Sequence, residues 1–392
     1  MRIPGFQFSS IQAGIRYKNR PDLCLIFSDV PANICGVFTK NNIKAAPVIY
    51  AMEKLSSNMM GQAIIINSGN ANACTGQRGL EDVREMINIT AKELGIDESL
   101  IYPSSTGVIG EPMPMERIKK SIPELVRRLS YYGIEGVAEA IMTTDTFPKH
   151  FTTHIEVDGK RGTIGGVAKG AGMINPNMAT MLCFIMTDIS VEHGALKRAL
   201  RDVVENSFNK ITVDGDMSTN DTVMIMSNGL LNNDTIDDDS NYYPVFKDAL
   251  FYVSYRLSKM IVEDGEGATK LIEVFVRGGE SSRSAERIAR AVANSNLVKT
   301  AIYGEDPNWG RIIAAVGYAG VEVIPDRINI SINGVMVAEK GVATGLEDEA
   351  KEMLKEKYIN IMIDLCMGSG EAKILTCDLT EDYIKINAGY RT

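Results

Sequence analysis

The stretch "KGAGMINPNMATML", Lys169 to Leu182, constrains this chain more than any other. A loop of small and turn-forming residues ends at Ala179-Thr180. It runs without interruption into the apolar Met181-Leu182-Cys183-Phe184-Ile185-Met186. A short continuous apolar run bounded by turn residues reads as a buried strand. Three roles for the junction follow. As a phosphate loop it would have to open a helix, and its lysine would follow the glycines rather than precede them. As a plain glycine-rich turn it would start a core strand at Thr180. As a processing site it would make Thr180 a nucleophile once the chain is cut in front of it.

The third reading has a chemical basis. A hydroxyl is a weak nucleophile and needs a base. Cleavage between Ala179 and Thr180 would give Thr180 a free α-amino group, whose ordinary pKa of about 7.7–8 suits it to accept the hydroxyl proton. Rival bases are few, since the chain has only three histidines. His150 and His154 stand in "HFTTHIEV", a strand-like segment on which H-x-x-x-H spacing does not converge on a metal. His193 carries no metal-ligand spacing either, so no metal is expected.

The 392 residues carry a net charge of −9, against a phosphate-backbone binder and therefore against nucleic acid as a partner. No apolar run approaches the roughly 20 residues that span a bilayer, and "MRIPGFQFSS" lacks a signal-peptide core, so neither a membrane nor export is expected. The six cysteines are scattered without C-x-x-C spacing, as in a reducing cytoplasm.

Along the chain, Ala63 to Asn67 reads as a buried strand leading into "NSGNANACTG". Leu80, Val83, Ile87 and Leu94 define a helix stopped by Gly95. Pro103 to Pro114, "PSSTGVIGEPMP", reads as a loop. Leu196, Leu200, Val203, Val204 and Phe208 mark one later helix. Val245, Leu250, Val253, Leu257 and Ile261 mark another, ended by Gly265 and Gly267. Asn232 to Asn241 reads as an acidic surface loop. Asn333-Gly334 between alternating apolar residues predicts a β-hairpin. Tyr383, Ile384 and Ile386 suggest a last strand. "RGGESSRS", Arg277 to Ser284, is the strongest linker candidate. The fold class expected is α/β of the mixed α+β kind, with long antiparallel components and without strict βαβ alternation.

Several blocks carry candidate chemistry. "SSTGVIG" offers Thr106-Gly107, where a hydroxyl and backbone N–H groups can converge on an oxyanion. "MTTDTFPK" clusters hydroxyls around Thr143, "EDGEGATK" sets Glu266 between two glycines, and "NAGYRT" ends the chain at Thr392. Each alone is a weak signal. "GDMSTNDT" has three carboxylates, misses calcium-loop spacing, and reads as a structural loop near the site.

Together and in this order the blocks resemble the glutamate N-acetyltransferase, or ornithine acetyltransferase, family of arginine biosynthesis. "GGVAKGAGMINPNMATML" at 165–182 is the most specific of them, and "GEDPNWGRI" at 304–312 belongs to the same set. The resemblance implies a self-processing body like that of N-terminal-nucleophile enzymes, layered α/β, with a C-terminal α/β domain. Three segments follow: 1–179 as an α chain with the oxyanion loop, 180–276 with the nucleophile strand and helices, and 277–392 with a substrate-binding tail. It implies cleavage between Ala179 and Thr180, Thr180 as nucleophile, and Thr106 and Gly107 as oxyanion hole. Thr143, Lys169, Thr180, Glu266, Asn387 and Thr392 would bind substrate. The reaction implied moves acetyl from N2-acetylornithine to L-glutamate, with no bound cofactor. Acetyl-CoA is a candidate second donor whose use the sequence leaves open. The α and β chains would pair again as α2β2 in the cytoplasm. A self-processing aminopeptidase or amidase, and a non-catalytic amino-acid-binding protein, are the alternatives.

Overall fold

In the computed structural model the described residues are 2–175 and 181–389. They form two compact units. One runs up to residue 209 and takes in Asp216–Ile261; the other comprises Lys210–Gly215 and the chain from Val262 onward.

The first unit is built on a mixed sheet of eight strands: β1 (Phe6–Ile11), β2 (Leu23–Phe38), β3 (Met60–Asn67), β4 (Ile101–Ser105), β5 (Lys149–Val157), β6 (Lys160–Lys169), β7 (Leu182–Thr187) and β8 (Thr222–Ser227). Their order is β4-β3-β2-β8-β7-β6-β5, with β1 also on β2. The β3–β4 and β7–β8 pairs are parallel and the other neighbours antiparallel. Strand β2 reaches across the sheet because its register breaks between Phe27 and Ala32. Leu23–Phe27 pair with β3, and Asn33–Phe38 pair with β8.

Both faces of the sheet's inner strands are buried, which explains their continuous apolar runs. Side chains alternate between faces along a strand. In β3, Ile64 and Ile66 enter one core with Leu182, Phe184 and Met186, covered by the helix Ile134–Ala140. Ala63 and Ile65 enter a second core under the helices Gly76–Leu94 and Met115–Arg127. Burying both sides requires apolar residues at consecutive positions, and Leu182–Thr187 is buried throughout.

The second unit has a six-stranded sheet: β9 (Leu271–Gly279), β10 (Asn329–Ile332), β11 (Val335–Glu339), β12 (Val342–Ala343), β13 (Tyr358–Asp364) and β14 (Gly370–Cys377), in the order β12-β11-β10-β13-β9-β14. The expected hairpin is β10–β11. Asn333 and Gly334 take φ of 44° and 87°, the two positive values a two-residue primed turn demands. The fold is thus the mixed α/β class expected. Among the described residues no helix is long and apolar enough to cross a membrane.

Three local expectations are corrected. Pro103–Ser105 is not loop but the end of β4, paired in parallel with Ile65–Asn67 of β3. As its partner is parallel and its run short, period-2 patterning could not reveal it. Tyr383, Ile384 and Ile386 lie in a helix, Glu381–Gly389, with Ile384 exposed. Glu381 and Asp382 in its first turn suit a helix N-terminus, and they outweigh a three-residue apolar pattern. Arg277–Ser284 does not separate compact units. It is the end of β9 and the capped start of the helix Ser282–Ala293, and the units divide instead at 261/262. A Ser281 cap bonded to Ser284 N–H gives serine-rich sequence a helix-starting role that resembles a linker in composition.

Candidate active site

Lys169 closes β6 and Thr143 lies before β5, and the first unit brings them together. Lys169 Nζ donates to Thr143 Oγ1 at 2.6 Å. Both rest on Asp145, whose carboxylate is fully buried. Its Oδ1 accepts from Lys149 Nζ at 2.7 Å and from Gly170 N–H at 2.7 Å. Its Oδ2 accepts Thr143 N–H at 3.0 Å and lies 3.8 Å from Lys169 Nζ. Burial works against the ionised form of Asp145. The charges of Lys169 and Lys149 and the hydrogen bonds reverse that effect and hold the carboxyl well below the ordinary carboxylate range. One carboxylate thus orients two lysines and ties the Thr143 turn to the start of the loop leading to Ala179-Thr180.

Thr106 and Gly107 follow β4. Thr106 N–H donates to Asn67 O at 3.0 Å, so its backbone donor is already committed. Its hydroxyl has no bonded partner among the described residues, although Thr106 is buried. The hydroxyl oxygen keeps some access to solvent, and a donor without an acceptor is what a developing oxyanion needs beside it. Gly107 has φ of +131°, and a Cβ there would meet Gly69 C at 2.3 Å and Asn70 N at 2.5 Å. Only glycine lets this turn lie against the loop after β3. Asn67 reinforces the corner: its Oδ1 accepts from Ser105 Oγ at 2.6 Å and its Nδ2 donates to Asn70 O at 2.9 Å.

In the second unit Asn387 Nδ2 donates to Glu266 Oε2 at 2.7 Å. Gly267 takes φ of +70°, and Thr380 Oγ1 donates to its carbonyl at 2.7 Å, which fixes the turn that carries Glu266. Ala179, Thr180 and Thr392 lie outside the described residues.

The sequence reading missed Asp145 and Lys149, though both stand in the quoted "TTDTFPK". The signal available was a pair of opposite charges in a segment otherwise rich in hydroxyls and followed by a strand. Asp221, in the "GDMSTNDT" block, falls in the segment read from sequence as a structural loop near the site, though no contact was assigned to it. Asp221 is fully buried and its Oδ1 accepts Met181 N–H at 3.2 Å. Burial pushes its carboxyl well above the ordinary range, more than Thr39, Met181 N–H and Lys169 lower it. Among the described residues no group of His, Cys, Asp and Glu is arranged to hold a metal.

The first unit thus holds a lysine aimed by a buried carboxylate and a turn bearing an unbonded hydroxyl, and the second holds an amide–carboxylate pair. The sequence matches the ArgJ family over residues 7–392, and the chain belongs to that family. It is 50% identical to the arginine biosynthesis bifunctional protein ArgJ of Geobacter sulfurreducens over all of both chains. It is 49% identical to the protein of the same name from Thermotoga neapolitana, covering 99% of each. A crystal structure of the arginine biosynthesis bifunctional protein argJ from Bacillus halodurans is similar at 46% identity with a TM-score of 0.51. It covers 53% of this chain and 98% of that one. The chain is an acyltransferase of arginine biosynthesis.

The Asp145 cluster generates a prediction with a defined sign. A carboxyl held below its unfolded pKa, near 3.8, contributes stability that is complete above that value. The contribution is lost as pH falls through the folded pKa. Asp145→Asn leaves two buried lysines without their carboxylate and should cost about 3–5 kcal/mol at pH 7. Urea unfolding of both proteins should show the gap narrowing as pH drops below about 4. A gap independent of pH would refute the charge assignment.

Proposed function

We propose that the chain carries acetyl from N2-acetylornithine to L-glutamate as an ester on Thr180, after cutting itself between Ala179 and Thr180. In processing, Thr180 Oγ attacks the Ala179 carbonyl carbon and the peptide C–N bond gives way to an ester. Water then hydrolyses that ester, leaving Ala179 as a carboxylate and Thr180 with a free hydroxyl and α-amine. In turnover the neutral α-amine takes the hydroxyl proton as Oγ attacks the acetyl carbonyl of acetylornithine. The C–N bond breaks, the proton passes to the departing amine, and ornithine leaves. The neutral amine of glutamate attacks the ester, Oγ departs with a proton, and N-acetylglutamate forms.

Thr106 Oγ1 and Gly107 N–H are the donors assigned to the oxyanion of each tetrahedral intermediate. Lys169 and Thr143 are assigned to substrate carboxylate and polar groups, and Glu266 to the side-chain ammonium of ornithine. Asn387 and Thr392 are assigned to its amino-acid end. One observation carries this reading. Residues assigned from blocks far apart in sequence meet as bonded pairs: Lys169 with Thr143, 26 positions away, and Asn387 with Glu266, 121 positions away.

The relatives' designation as bifunctional supports a second activity, which we assign as acetylation of glutamate by acetyl-CoA. The coenzyme is then a substrate and not a resident cofactor. We assign the assembly as α2β2, and the compartment as the cytoplasm, where the buried free thiols of Cys24, Cys35, Cys183 and Cys377 persist reduced.

Intact mass of the purified protein should give two chains divided at Ala179-Thr180, and Thr180→Ala should give one. Donor alone should leave an acetyl adduct on the Thr180 chain, and initial rates with both substrates should give parallel double-reciprocal lines. A fully active, uncleaved wild-type chain would falsify the mechanism.

Thr106→Ala should lower kcat by about 10²-fold with a much smaller change in KM, since an oxyanion donor acts on the transition state. A change confined to KM would move Thr106 to ground-state binding.

A further inference from the structure

The segment Ser218–Thr222 contains none of the groups assigned above, yet its side chains reach both halves of the first unit's catalytic equipment. Asn220 Nδ2 donates to Ser105 O at 2.8 Å and to Ala71 O at 2.7 Å. Its Oδ1 accepts from Thr219 Oγ1 at 2.7 Å. Ser105 O and Thr106 N belong to the same peptide group. Its carbonyl is therefore fixed by Asn220 and its N–H by Asn67, so the plane that aims Thr106 is clamped at both ends.

The next residue does the same on the other side. Asp221 Oδ1 accepts Met181 N–H, the first backbone donor after Thr180. Thr222 N–H donates to Met181 O at 3.0 Å. Met181 is thus held at both of its backbone groups by two consecutive residues. The segment is itself pinned. Thr39 N–H donates to Asp221 O at 3.0 Å, and Thr39 Oγ1 donates to Ser218 O at 2.8 Å.

We propose that Asn220 and Asp221 are positioning residues that set the Thr106 turn and the strand after Thr180 at one fixed spacing, for self-cleavage and for acetyl transfer alike. The proposal rests on the reading of Thr180 as nucleophile. It has a physical motive. Cleavage turns Thr180 into a chain end, and chain ends fray unless tied down. Strand pairing of β7 with β8 starts only at Leu182. Asp221 extends the hold by one residue, to the peptide that carries the nucleophile. Among the described residues Asp221 Oδ2 has no hydrogen-bond partner, and the charge of Lys169 offsets the burial only in part. A buried carboxylate so placed would be costly, whereas a neutral acid accepts the Met181 N–H at small cost. The role therefore needs the shape and acceptor of the side chain and not its charge.

Asp221→Asn, which keeps that shape and acceptor, separates this from a proton-transfer or charge role. In the full-length protein, Asp221→Ala should slow self-cleavage and lower kcat by about 10²-fold, with KM for acetylornithine and glutamate little changed. Asp221→Asn should restore both rates to near the wild-type values. Asn220→Ala should behave as Asp221→Ala does; should it not fold, the Asp221 pair decides alone. Rates are taken per folded, processed site, with the urea midpoint measured in parallel. Unchanged kcat in Asp221→Ala overturns the proposal while the functional reading stands. So does an Asp221→Asn protein as inactive as Asp221→Ala, or a loss that disappears once rates are corrected for folded protein. A wild-type protein that neither cuts itself nor transfers acetyl overturns the functional reading and this inference with it.

Discussion

The first unit's site depends on the carboxylate of Asp145. A buried carboxylate is expensive unless it is paired and hydrogen-bonded. Asp145 meets that demand with two lysines and two backbone N–H groups. Each partner is thereby fixed in turn: Lys149 at the start of β5, Lys169 at the end of β6, the Thr143 turn, and Gly170 at the head of the loop to Thr180. Removing the carboxylate would leave two cations in a site that excludes water. The same arrangement that stabilises the cluster therefore sets the positions of Lys169 and of the Thr143 turn.

The sheet makes such a corner possible. With both faces covered, β3, β4, β7 and β8 offer ladder hydrogen bonds along their length and release the chain only at their ends. Polar groups that leave the sheet must find partners at once, because the surroundings remain buried. Asparagine supplies them, since its carboxamide carries both donor and acceptor. Asn67 serves Ser105 and Asn70, and Asn220 serves Ala71 and Ser105. The asparagine-rich "NSGNANACTG" and "STNDT" blocks are therefore the wiring of one corner, in which the missing side chain of Gly107 lets two loops touch.

Much of this was legible in the sequence where one physical signal acted alone. The strand at Ala63–Asn67, the helix closed by Gly95 and the Asn333-Gly334 hairpin each depend on local periodicity or on a turn that only certain residues can make. Legibility failed where a tertiary partner decides. Pro103–Ser105 is a strand because β3 lies beside it, and nothing in three residues announces a parallel neighbour. The tail was misread because three apolar residues fit a strand and a helix alike, and two acids at the first turn settle the matter. Of the candidate site, Thr106, Gly107, Lys169, Thr143, Glu266 and Asn387 were named from their blocks. Asp145, Lys149, Asn220 and Asp221 were not. Their importance lies in burial, and a charged or amide side chain in a loop has no sequence mark that separates buried from solvated.

The geometry around Asp145 distinguishes its two lysines. Lys149 holds the short contact to the carboxylate, at 2.7 Å, while Lys169 stands off at 3.8 Å and bonds instead to the Thr143 hydroxyl. Coulomb attraction changes slowly over that interval, but a hydrogen bond made at 2.7 Å is absent at 3.8 Å. The two lysines thus differ in how they meet Asp145, and the difference is set by about 1 Å of distance to a single buried carboxylate.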